Sequence, residues 1–357
     1  MRSSLYSTLV RCFFAGAVVL AFVVSGMGKG PDFQPVDKSG DVPLVRAKYL
    51  AFYGTNRSDW ATISSPVTPG APLTWNILKN PATAPAQIAQ FNWGVNTDTI
   101  VANSWTGDGR FDPAIWRNGA FWILDFSSAA VSNIFWGATG HYPGRDGDYD
   151  GDGIVDATMV VIPNNELQWW IRLSSSPGNY RVISFGRITP GLSTFGFQGA
   201  DFTGDGRDEI VMAQSNNTTG AVTWYVADAV TGAQVMQVPW GNYQVDRLIN
   251  PADYSGDGRA DFVVWRSRGT GADANAWYIL NPATGMQAPR SGTVFGVGAN
   301  DFAVRGDYDG DGIQDIAVWR HSTSPGTFYV LASSNGSLMV QPWGAPDDVP
   351  LGSAGVF

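Results

Sequence analysis

Four acidic ladders recur along the chain: GDYDGDGIVDATMV at 147–160, ADFTGDGRDEIVM at 200–212, ADYSGDGRADFVVW at 252–265 and GDYDGDGIQDIAVW at 306–319. One such ladder is a turn or a metal loop. Four of them, starting 52 to 54 residues apart, declare a repeat architecture in which each unit is too small to bury a core alone and must stack on its neighbours. Each ladder places oxygen-bearing side chains at loop positions 1, 3, 5 and 9, with glycine at position 6. Calcium takes six to eight oxygens, and a tightly wound loop can aim alternate side chains inward while a backbone carbonyl fills one more place. The spacing therefore predicts a hard-cation loop, with calcium as the cofactor.

In the first ladder the side-chain ligands are Asp148, Asp150, Asp152 and Asp156, with the carbonyl of Ile154 between them and Gly153 at the sharp turn. In the fourth they are Asp307, Asp309, Asp311 and Asp315, with the carbonyl of Ile313 and with Gly312 at the turn. The middle pair carries less charge and is expected to bind more weakly: Asp201, Thr203, Asp205 and Glu209 with the carbonyl of Arg207, then Asp253, Ser255, Asp257 and Asp261 with the carbonyl of Arg259. A degenerate copy, NSWTGDGRFDPAIW at 103–116, keeps Asp108 and Asp112, and a sixth near 53–63 keeps Asp59 alone. An Asp-Gly run can also be a plain solvated turn, because Asp accepts hydrogen bonds from its own backbone. Four carboxylates in nine residues repel one another strongly enough that a cation is the better expectation for 148–156 and 307–315.

The loop shares its first half with an EF-hand, which would put a bidentate Glu at position 12 between two helices. Position 12 is Met159 in the first ladder and Val318 in the fourth, each inside an apolar, β-forming run. The EF-hand is excluded, and so are nonapeptide β-helix repeats, whose period is far shorter.

An aromatic residue followed by glycine interleaves with the loops, at Trp93-Gly94, Trp136-Gly137, Phe185-Gly186, Trp240-Gly241, Phe295-Gly296 and Trp343-Gly344. Between loop and mark lies one more aromatic strand: LTWNIL, AFWILDF, LQWWIRL, VTWYVAD, AWYILN or TFYVLA. The order is loop, strand, strand, strand ending at the aromatic-Gly pair, then a strand into the next loop. Four short strands per unit is the grammar of an all-β propeller. Six blades are expected over 41–357, or seven if residues before 45 supply more than a strand. Asp41-Val42-Pro43-Leu44 recurs as Asp348-Val349-Pro350-Leu351, so one terminal copy is expected to complete a terminal sheet and close the ring.

These loops and marks resemble the FG-GAP/VCBS-type repeat family, which includes the calcium-loaded propellers of integrin α chains and various bacterial secreted proteins. The resemblance spans roughly 41–357 and is most specific at the loops beginning at 148, 201, 253 and 307. It implies a propeller with calcium in hairpin loops at the blade edges and a role in adhesion or ligand recognition, with a protein or glycan on a cell surface or matrix as partner.

Residues 1–28 read as an export signal, with Arg2 and Arg11 ahead of the apolar run FFAGAVVLAFVVS, and 29–40 as a flexible polar leader. The run is short for a bilayer span, so a secreted, periplasmic or cell-surface protein without membrane insertion after cleavage is expected. Cys12, the single cysteine, lies in that segment, which leaves packing and metal rather than disulfides to hold the exported fold. A net charge of −9 argues against nucleic-acid partners.

Most of the fifteen tryptophans occupy equivalent repeat positions, Trp265 and Trp319 after the loop and Trp136, Trp240 and Trp343 before the glycine, and such positions form inter-blade core. Trp169-Trp170 differs, because neighbours on a strand face opposite sides and one can be exposed to stack on a sugar. His141 and His321, the two histidines, sit in no nucleophile motif, and GxSxG and HExxH are absent. Asp98, Asp125 and Asp246 are the spare acids for glycosidase-type chemistry. The expectation is a non-catalytic protein, with a lectin and then a polysaccharide-active enzyme as alternatives. Variable turns at 267–275 and 321–326 are candidates for a recognition rim.

Overall fold

A computed structural model describes residues 48–266, 274–298 and 300–353; the expected signal at 1–28 and leader at 29–40, the first Asp-Val-Pro-Leu copy and most of the 267–275 turn lie outside the described residues. The chain is an all-β, six-bladed propeller in which each blade is an antiparallel meander and the next blade follows in sequence. Blade one contains Trp60–Ser64, Pro72–Leu78 and Ile88–Val95. Blade two contains Thr99–Ile100, Ala114–Arg117, Ala120–Leu124 and Val131–Phe135. Blade three contains Ala157–Val161, Glu166–Arg172 and Tyr180–Arg187, with an isolated bridge from Tyr142 to Val160 in place of a full innermost strand. Blade four contains Leu192–Gly196, Ile210–Asn216, Ala221–Ala227 and Gln234–Asn242. Blade five contains Asp246–Ala252, Asp261–Arg266 and Ala274–Asn281, with Met286–Gln287 and Thr293–Val297 sharing its outer edge. Blade six contains Asp301–Val304, Ile316–Arg320, Thr327–Leu331 and Leu338–Pro342.

The C-terminal copy of the terminal repeat closes the ring. Asp348–Pro350 pairs antiparallel with Trp60–Ser64 and becomes the innermost strand of blade one, in register Thr62 to Pro350. The expected closure is thus made by the copy at 348–351, and it removes the inner edge that blade one would otherwise present.

Alternation along the strands explains why the blades stack. Glu166–Arg172 buries Leu167, Trp169 and Ile171, and leaves Gln168 and Trp170 half-exposed. Six apolar cores result, one between each pair of adjacent blades. The core at the seam joins Trp60 and Leu78 of blade one to Tyr308, Trp319 and Phe328 of blade six. Trp265 and Trp319 are fully buried, as their repeat positions predict, and so are Trp75, Trp169, Trp224 and Trp277, whereas Trp136, Trp240 and Trp343 before the glycines are half-exposed and only pack against the cores.

The aromatic-Gly mark has a packing cause. Gly137 has φ +96°, and a Cβ there would lie 2.8 Å from Met159 Sδ in the next blade. The bent backbone frees the preceding carbonyl, which accepts an indole N–H from within the blade: Trp75 Nε1 donates to Trp93 O, Trp224 Nε1 to Trp240 O and Trp319 Nε1 to Trp343 O, at 2.9 to 3.0 Å.

Around the axis the innermost segments enclose two adjoining cavities of about 280 and 210 Å³. Among the described residues no helix is long and apolar enough to cross a membrane.

Candidate metal centre

Every acidic ladder connects the innermost strand of a blade to its second strand. All innermost strands run the same way, so the ladders and their two degenerate copies emerge on one face of the ring. Antiparallel wiring then returns the third strand to that face, where its hairpin turn lies against the ladder of the same blade.

The six loops share one anchor. The last carboxylate of each is fully or almost fully buried and accepts a backbone N–H from the aromatic residue near the loop's start: Asp59 from Tyr53, Asp112 from Trp105, Asp156 from Tyr149, Glu209 from Phe202, Asp261 from Tyr254 and Asp315 from Tyr308, at 2.6 to 3.1 Å. The first carboxylate folds the loop back on itself. Asp148 Oδ1 accepts from Gly151 N and Oδ2 from Gly153 N, and Asp307 Oδ1 and Oδ2 accept from Gly310 N and Gly312 N. Gly153 sits at φ +91°, a backbone state that side chains disfavour.

Three groups of carboxylates have oxygens within 4.8 Å of one another: Asp148, Asp150 and Asp156; Asp201, Asp205 and Glu209; and Asp307, Asp309 and Asp311. These oxygen-only sets could hold a metal ion, and hard divalent cations suit them. The position-3 residue of the second loop, Thr203, is spent on Glu209 Oε1 at 3.1 Å. Asp152 stands outside the first group and accepts Ser174 Oγ at 3.0 Å and Ile154 N at 2.8 Å. Asp315 stands outside the last, held by Tyr308 N and by Ser333 N at 2.7 Å.

The third loop forms no such group. Asn281 Nδ2 donates to Asp257 Oδ2 at 2.8 Å and to Ser255 Oγ at 3.0 Å, while Asp253 caps Gly256 N and Gly258 N. Asp261 turns to Tyr254 N and Ser255 N. Among the expected carbonyl ligands, Ile154 O accepts Ser174 Oγ at 3.4 Å. The Arg207 guanidinium pairs with Asp205 in its own loop, so that loop already carries one cationic neighbour. Asp108, in the degenerate second-blade loop, keeps a buried Oδ2 with no hydrogen-bond partner.

The hairpin residues that reach these loops were not singled out in the sequence. Ser175 Oγ donates to Asp150 Oδ2, Ser334 Oγ to Asp309 Oδ2 at 2.7 Å, and Ser333 Oγ to Asp311 Oδ2 at 2.8 Å. The blade meander supplies the relation: each serine follows the third strand, 18 to 25 residues beyond the acid it meets.

The loops also form a closed ring. The carbonyl at the first position of each accepts an N–H from the neighbouring loop: Ala51 O from Phe111, Ser104 O from Val155, Asp148 O from Asp208, Asp201 O from Ala260, Asp253 O from Gln314 and Asp307 O from Ser58, at 2.7 to 3.2 Å. The sixth bond crosses the seam.

Burial pushes the anchoring carboxylates up, Asp156, Glu209 and Asp261 to about 7 and Asp315 to about 6, against the N–H bonds they accept. Asp59 and Asp112 are raised to about 7 by the same desolvation, in loops with no acidic cluster. A carboxyl whose folded pKa exceeds its unfolded value near 4 binds its proton more tightly when folded. The stabilisation is complete below about pH 4 and is lost as pH rises through about 7. Chelator-treated protein is therefore expected to melt several degrees lower at pH 7.5 than at pH 5, with Asp59→Asn removing part of that slope. A melting temperature that stayed flat or rose over this range would contradict it.

The spare acids are structurally engaged. Asp98, Asp246 and Asp301 each hold an arginine of the adjoining strand in a two-pronged pair, Arg117, Arg266 and Arg320 respectively. Asp125 caps the turn at Ser127 and Ser128.

Residues 201–264 match the family model for an FG-GAP-like repeat. No curated protein matches the sequence. Among solved structures, a chain from a structural and mechanistic analysis of two prolyl endopeptidases is similar at 14% identity and TM-score 0.34, over 82% of this chain and 49% of that one. This chain thus spans about half of that one's length. An oligogalacturonate lyase in complex with manganese is similar at 10% identity and TM-score 0.32, over 83% of this chain and 88% of that one. Neither likeness is close enough to bear on chemistry. Six meander blades with their loops gathered on one face make the chain a six-bladed β-propeller that carries an FG-GAP-like repeat at 201–264.

Proposed function

We propose that this chain is a secreted or surface-exposed, non-catalytic propeller whose acidic loops bind calcium and hold a recognition face for a protein or glycan. The observation that carries the proposal is the set of three oxygen-only clusters on one face of the ring, each built by the same loop and bonded to its neighbours. Asp148, Asp150 and Asp156, then Asp201, Asp205 and Glu209, then Asp307, Asp309 and Asp311 would hold the ions, which cancel the mutual repulsion of these carboxylates. The non-catalytic reading is supported by the engagement of Asp98, Asp125 and Asp246 in structural bonds.

Extracellular calcium sites commonly have dissociation constants of about 0.1 to 1 mM, so at millimolar calcium each adds on the order of 1 kcal/mol. Three such sites shift the melting temperature by several degrees. Calcium added to chelated protein is expected to raise the midpoint by that amount, and magnesium by less. A midpoint indifferent to chelator would remove calcium from the account.

One observation favours a lectin as the second reading. Half-exposed Trp170 stands beside Trp136 at 6.3 Å and His141 at 5.8 Å, with Tyr180 5.4 Å from Trp136, an aromatic surface on which a sugar ring can stack. A glycan array with a Trp170→Ala control separates this from protein adhesion.

A further inference from the structure

The larger axial cavity, about 280 Å³, opens among innermost segments of five blades and Ser353, which bridges to Val304 of the sixth. Its size is near the lower end for small-molecule sites. Two charged side chains line it, Asp98 and Arg145. Asp98 is already neutralised, since both its oxygens take Arg117 and one also takes Val95 N at 2.7 Å. Arg145 is different. Its guanidinium donates to the carbonyls of Pro143 and Gly144, and among the described residues no carboxylate lies within 4.0 Å of it. Burial lowers its pKa, with Asp146 opposing. Arg145 is thus a half-exposed cation on the cavity wall with no carboxylate in ion-pair range, in a chain of net charge −9.

The rest of the lining is neutral and polar enough for hydroxyl groups. The side chains of Thr99 and Asn250 and the Nε2 of Gln198 make no hydrogen bond within the described residues, while Gln198 Oε1 is taken by Arg305 at 2.9 Å. A fork of guanidinium N–H donors matches a planar carboxylate better than any neutral group, and unspent amides and hydroxyls match the alcohols of a sugar. We propose that this cavity is a binding site for a small hydroxylated carboxylate, a single-ring sugar acid, with its carboxylate on Arg145 and its hydroxyls on Thr99, Gln198 and Asn250. The site is separate from the acidic loops, and it does not depend on whether they hold metal.

Glucuronate and glucose differ in one carboxylate and are the informative pair. In calorimetric titrations of the full chain, glucuronate is expected to bind at least about tenfold more tightly than glucose, the discrimination a charge-assisted hydrogen bond supplies. Arg145→Gln is expected to abolish that preference, and Asn250→Ala to weaken glucuronate severalfold while keeping the preference. Equal binding of the two sugars, no binding of glucuronate at 10 mM (about the weakest affinity worth assigning), or inorganic phosphate binding as tightly as glucuronate would each overturn the proposal. The comparison on the unsubstituted protein stands even if Arg145→Gln fails to fold.

Discussion

Truncation after Ala345 is expected to cost the chain its cooperative unfolding transition. The segment removed carries Asp348, whose carboxylate accepts from Thr62 Oγ1 at 2.7 Å, Ser64 Oγ at 2.6 Å, Ala345 N at 3.0 Å and Asn76 Nδ2 at 3.4 Å. It also carries the strand that pairs with Trp60–Ser64 and the N–H of Leu351 that bonds Ala61. Without it blade one keeps three strands, and the seam keeps its apolar core but loses its sheet. Leaving several buried polar groups unpaired at about 1 to 3 kcal/mol each, on top of an exposed inner edge, exhausts the 5 to 15 kcal/mol typical of a domain. Asp348→Ala, which leaves the strand in place, is expected to cost about 2 to 4 kcal/mol. Denaturant titration with size-exclusion chromatography reads both. A truncated chain that melted within a degree or two of the full one would show that the apolar core at the seam suffices.

Trp224→Ala is expected to cost about 3 to 5 kcal/mol, the usual range for deleting a buried aromatic side chain. Its indole is fully buried, 4.8 Å from Phe197 and 5.0 Å from Phe262, so one side chain joins the cores of blades four and five. Its Nε1 also satisfies the Trp240 carbonyl at the outer strand's bend. Trp224→Phe keeps much of the volume and loses the donor, so it separates packing from the hydrogen bond. Half-exposed Trp170 is the control, and Trp170→Ala is expected to stay below about 1 kcal/mol. Equal losses at the two positions would sink the distinction between core and surface indoles.

The architecture was legible because it is written in periodic residues. The acidic ladders, the aromatic-Gly marks and the aromatic strands recur once per blade, and burial of Trp265 and Trp319 at matching offsets follows from that recurrence. The terminal duplicate predicted closure, and the strand Asp348–Pro350 supplies it. The candidate metal groups were legible in part. Positions 1, 3 and 9 of the first loop converge, while Asp152 and Asp257 stand outside any such group and bond Ser174 and Asn281. Those two partners lie on hairpins some 22 to 24 residues onward, and a lone serine or asparagine in a turn carries no pattern that betrays its neighbour. The ring of loop-to-loop bonds was invisible for a plainer reason: it is made by backbone atoms, which every residue shares.

That ring has a mechanical consequence. The bond from Ser58 N to Asp307 O has the same donor-acceptor relation as the five joints within the continuous chain, so the hoop of loops has no weak link peculiar to the seam. Tension applied to one sector passes to both neighbours through equivalent contacts, and a circular permutant that fused the two ends and opened the chain between other blades would inherit the same girdle.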